Sequence, residues 1–98
     1  MKRQEYIFTI GFTGNTAMVD GRALKSYGSL ATGSLLEKGL FKPALASAVN
    51  AGSTGEQAAV LEAYNRAAGT SYERIEQLQR VFGLETSPER IEKIRVLK

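Results

Sequence analysis

The chain has 98 residues, one domain's length, and can bury roughly two-thirds of its unfolded surface without covalent staples. It contains no Cys and no His, which excludes disulfides, thiol chemistry and thiolate metal sites. Its formal charge of +3 is unevenly spread: +3 over residues 1–50, −3 over 51–89 and +3 over 90–98.

Oxygen-ligand metal sites also lack support. Asp20 is the only Asp, and no acidic loop has Ca²⁺-binding spacing. We expect no metal, no cofactor and no catalytic residues. The Glu residues fall mostly at expected helix caps or in exposed i,i+4 pairs, and Asp20 beside Arg22 and Lys25 reads as a cap. No segment approaches the ~20 apolar residues that span a bilayer. Lys2-Arg3 precedes an apolar run, but Thr9 and Gly11 interrupt it and no small-residue cleavage site follows. The expectation is therefore no membrane and a cytoplasmic location. The charge blocks read as an ordinary solvated surface; the alternative is basic ends meeting an acidic middle of the same or a neighbouring chain.

In chain order, Glu5–Phe12 is rich in aromatic and β-branched residues and predicts a strand. Alternation puts Tyr6, Phe8, Ile10 and Phe12 on one face, the better core candidate, and Ile7, Thr9 and Gly11 on the other. Gly14-Asn15 is a type II′ turn signal, and Thr16–Asp20 is the return strand, so a β-hairpin is expected over 5–20. The Gly11-x-x-Gly14 spacing lies between two strands with no Lys or Arg inside it. It reads as a hairpin turn, with Gly11 at a bulge or close contact, rather than as a phosphate-gripping loop.

Helical signals dominate residues 22–92. Asp20 caps a short helix, Arg22 to Tyr27, with Gly28 as its C′ residue. Ser34-x-x-Glu37 has capping-box spacing, with Thr32 as a rival start. Pro43 ends that segment near Leu40 and suits the first turn of an Ala-rich helix running to Asn50. Thr54-x-x-Gln57 opens a helix with a stripe of Gln57, Val60, Leu61, Tyr64, Ala67 and Ala68, opposite a Glu62–Arg66 pair. Gly69 stops it. Thr70-x-x-Glu73 restarts a helix with a buried stripe of Tyr72, Ile75, Leu78, Val81 and Phe82 and a Glu76–Arg80 pair, and Gly83 ends it. Ser87-Pro88-Glu89 signals another helix start. Beyond it, Ile91, Ile94 and Leu97 have helical spacing, while Ile94 and Val96 alternate as in a strand. A lone hairpin is marginal in water, so we expect a C-terminal strand over 93–97.

The expected fold is α+β in a single compact domain: the hairpin, completed by the C-terminal strand into a small antiparallel or mixed sheet, covered by four to five short helices. The leading functional expectation is a non-catalytic protein-binding or assembly module with a protein partner or a homo-oligomeric state. It rests on short sheet edges and thin Ala-rich helix surfaces. The alternative is a nucleic-acid-binding accessory protein using a basic patch of Lys2, Arg3, Arg22, Lys25 and Tyr27.

Overall fold

The structure, a computed structural model, describes residues 2–84 and 91–97. It is an α+β fold with a three-stranded mixed sheet and, among the described residues, six helices. Two compact units are present: Met1–Leu30 with Glu85–Lys98, and Ala31–Leu84.

The first unit opens with a correction. Residues expected as the start of the strand form helix α1, Arg3–Ile7. The reason is local. Arg3, Gln4 and Glu5 are good helix formers, and the Glu5 carboxylate accepts the Lys2 backbone N–H at 2.7 Å, satisfying one unpaired donor of the first turn. The Thr9 hydroxyl closes the other end by donating to the Glu5 carbonyl at 2.6 Å. Strand β1 is therefore Thr9–Thr13, and the hairpin begins four residues later than the sequence suggests.

β1 pairs antiparallel with β2, Thr16–Asp20, through Thr13↔Thr16 at the turn. Gly14 has φ +60° and no non-glycine residue among the described residues has positive φ, so only the first turn residue is left-handed, as type II′ requires. The register slips between Thr9 and Gly11, leaving Ile10 as an extra bulged residue. The bulge breaks the expected alternation. Phe8 is buried and Phe12 half-buried, but Ile10 is 56% exposed, and Ile7, assigned to the opposite face, is buried.

The third strand, β3, is Lys93–Leu97, as expected. It pairs parallel to β2, with Ala17↔Ile94 and Val19↔Val96 in register. Parallel pairing needs a long crossover, and the helical part of the chain supplies it. The hairpin tip guides β3 into place: the Asn15 carbonyl accepts the backbone N–H of Glu92 at 3.0 Å and of Lys93 at 3.3 Å, and Asn15 Nδ2 donates to the Glu92 carboxylate at 2.6 Å. Helix α2, Gly21–Tyr27, packs on β2 and β3. Asp20 caps it as expected, accepting from the N–H groups of Arg22 and Ala23, both at 3.1 Å. Gly28 ends it with φ −61°, so no left-handed turn occurs there.

The second unit contains α3 (Thr32–Glu37), α4 (Phe41–Ala51), α5 (Thr54–Ala68) and α6 (Ile75–Phe82). Leu35, Leu45, Val60 and Leu78 are fully buried, each worth about 1.5–3 kcal/mol of apolar burial. Ala44 to Ala48 of α4 are all buried, consistent with small side chains that admit close neighbours. Tyr64 holds an aromatic cluster together, with ring centroids 5.5 Å from Phe41, 6.3 Å from Tyr72 and 5.2 Å from Phe82.

Several start signals move. The rival start at Thr32 prevails over the Ser34 box. Ser53, not Thr54, caps α5 by accepting the Glu56 N–H at 3.1 Å. The α6 helix begins at Ile75, because Gln77 Oε1 accepts the N–H groups of Glu73 and Arg74, both at 2.9 Å. Val81 is 45% exposed and leaves the expected stripe, as do the exposed Ala67 and Ala68. The Glu62–Arg66 ion pair forms at 2.7 Å; no such pair forms at Glu76–Arg80. The helix start expected at Ser87-Pro88-Glu89 lies outside the described residues.

Candidate binding surfaces

Two surfaces of the first unit carry chemistry that a ligand can use. All of the chain's net positive charge belongs to this unit's sequence: eight basic against five acidic residues, while Ala31–Leu84 holds five of each.

The first surface is a cleft between α1 and α2. It has a volume of about 520 Å³ and is lined by Lys2, Arg3, Gln4, Glu5, Leu24, Lys25, Gly28 and Ser29. Three of the five residues in the sequence-derived patch, Lys2, Arg3 and Lys25, thus converge from segments more than twenty positions apart. Arg22, though exposed, and Tyr27, half-buried at the end of α2, do not line it. Arg3 is held in place, with Nη2 donating to the Leu30 carbonyl at 2.9 Å. Glu5 is the acidic member, and its Oε1 is engaged by the Lys2 N–H. Tyr6, on the same helix, does not line the cleft; burial raises the pKa of its hydroxyl above the ordinary value of 10.0.

The second surface is the outer edge of β3. The sheet order is β1-β2-β3, so β3 has β2 on one side and, among the described residues, no strand on the other. In-register pairing puts Ile94 and Val96 on the face that carries Ala17 and Val19. Ala17 and Val19 are fully buried, whereas Ile94 and Val96 remain 36% and 46% exposed. Lys93 and Arg95 project from the opposite face and are exposed. The sequence predicts this strand and short sheet edges in general, but does not single out this one. The available signal was the alternation of cations with β-branched residues, a pattern typical of a strand with one open side.

A third polar cluster is structural. Thr32, Ser47 and Glu56 join α3, α4 and α5, but Thr32 and Ser47 are 5% and 2% exposed, which leaves no room for a substrate to reach the hydroxyls.

No known protein family, curated protein or solved structure matches this chain.

Proposed function

We propose that the protein is a small, non-catalytic binding or assembly module that engages a protein partner through the outer edge of β3. The observation that carries this reading is the pair Ile94 and Val96, which extends the sheet's buried face into solvent along a strand that, among the described residues, has a strand neighbour on one side only. An added strand would satisfy the edge N–H and C=O groups and cover both side chains. The bulge at Ile10 and the missing side chain at Gly11 make the opposite edge, β1, a poorer template. We place the module in the cytoplasm; a chain without Cys needs no oxidising compartment to fold.

The test combines sedimentation with affinity capture, using the native chain and Val96→Lys. A complex or defined oligomer formed by the native chain and lost in the variant is the expected result. A native chain that stays monomeric and retains no partner overturns the reading, as does a complex that Val96→Lys leaves intact.

One observation favours a second reading, nucleic-acid binding: Lys2, Arg3 and Lys25 share a cleft. That reading expects a mobility shift at low salt that weakens steeply as salt rises and disappears in Lys2→Glu/Lys25→Glu.

A further inference from the structure

We infer that the β3 edge is specific for an extended acidic segment of another protein, one that alternates Asp or Glu with β-branched residues; this rests on the edge reading above. The edge offers charge complementarity along a fixed register. Lys93 and Arg95 lie two residues apart on one face of the strand, and Ile94 and Val96 lie on the other. A strand laid beside β3 places its own side chains next to these at the same two-residue period. Opposite charges across a strand pair are stabilising and like charges are destabilising. Carboxylates next to Lys93 and Arg95, with apolar residues next to Ile94 and Val96, therefore match the edge on both faces.

The same reasoning disfavours a second copy of this chain. Only two pairings overlap Lys93–Leu97 with itself completely. The antiparallel one sets Arg95 against Arg95, and the in-register parallel one needs the edge that β2 already occupies. A basic partner meets the same repulsion. Glu92, the nearest acid before the strand, is engaged by Asn15 Nδ2 at the hairpin tip.

The experiment uses the full chain with three labelled synthetic peptides of equal length. They alternate Val with Glu, Val with Thr, and Val with Lys. Fluorescence anisotropy gives affinities, and amide hydrogen exchange locates the contact. The acidic peptide should bind at least about fivefold more tightly than the neutral one and protect amides of 93–97, while the basic peptide should not bind, as opposite-charge pairs add and like-charge pairs subtract. Lys93→Glu/Arg95→Glu should reverse the order of the acidic and basic peptides.

Equal binding of acidic and neutral peptides with protection at 93–97 overturns the acidic preference and leaves the edge reading standing. Binding of the acidic peptide that is lost in Lys2→Ala/Lys25→Ala but kept in the β3 double variant overturns the inference in favour of the α1–α2 cleft. Failure of all three peptides, or a dimer of the native chain protected at 93–97, overturns it as well. In those cases the Val96→Lys comparison decides the broader reading separately.

Discussion

Thr32 Oγ1 lies 2.8 Å from Ser47 Oγ, and both residues are buried. The Thr32 hydroxyl also meets the Glu56 carboxylate, so one side chain ties α3 to α4 and to the first turn of α5. Glu56 thereby serves a distant partner instead of reaching back to its own helix start, and no buried side-chain polar atom among the described residues lacks a partner. Thr32→Val keeps the shape and removes the shared hydroxyl. It should destabilise the fold by about 1–3 kcal/mol, the cost of leaving buried polar groups unmade. Urea denaturation measures this. The double variant Thr32→Val/Ser47→Ala should lose less than the two single losses combined, because the groups share one network.

Asn65 organises the connection from α5 to α6. Its Oδ1 accepts from Thr70 Oγ1 at 2.8 Å and from the Tyr72 N–H at 3.0 Å, and its Nδ2 donates to the Tyr72 carbonyl at 2.8 Å. Asn65→Ala should cost about 1–3 kcal/mol in denaturant titrations. Asn65→Asp should fall between the two, since the acceptor survives and the donor does not. Equal stability of the native and Ala proteins would refute this role.

Gly21 is required where α2 begins beside the end of β3. A Cβ there would stand 2.4 Å from the Leu97 carbonyl oxygen and 2.7 Å from Val96 Cγ1. Gly21→Ala must push β3 away, and a loss of about 1–3 kcal/mol is expected from overpacking. Faster amide exchange at 93–97 would localise the damage. Gly33 is the control. It lies inside α3, a Cβ would meet nothing within 4 Å, and its φ is not positive. Gly33→Ala should stabilise by about 0.4–1 kcal/mol by restricting the unfolded chain. The opposite signs of these two changes are the check.

Tyr6 links the first unit to alkaline pH. Burial raises its folded pKa above 10.0, while the unfolded chain ionises at the ordinary value. Between the two values the unfolded state has released a proton that the folded state keeps, so stability falls as pH rises. The contribution is fully present below 10.0 and is lost as pH passes through the folded pKa. An ultraviolet absorbance titration should show a tyrosine step above pH 10.0 that Tyr6→Phe removes, and Tyr6→Phe should flatten the alkaline loss of stability. A titration identical in Tyr6→Phe and the native chain would rule this out.

Features that depend on a few neighbouring residues are legible in the sequence. Asp20 caps α2, Gly14 makes the tight turn, Gly69 and Gly83 stop their helices with φ of +69° and +62°, and Pro43 sits in the first turn of α4. These are steric and hydrogen-bonding preferences that act within about one helical turn. Lys93–Leu97 was also legible as a strand, because the hairpin needs a third strand and only this segment alternates.

Long-range pairing and packing set two other features. Ile10 is extruded by a register slip that only strand pairing reveals. Lys2, Arg3 and Lys25 share a cleft that Arg22 and Tyr27 do not enter, and no local spacing encodes that. One cause underlies both. Register and convergence depend on which distant backbone comes alongside, and two-residue or 3.6-residue periodicity is the same whichever neighbour arrives.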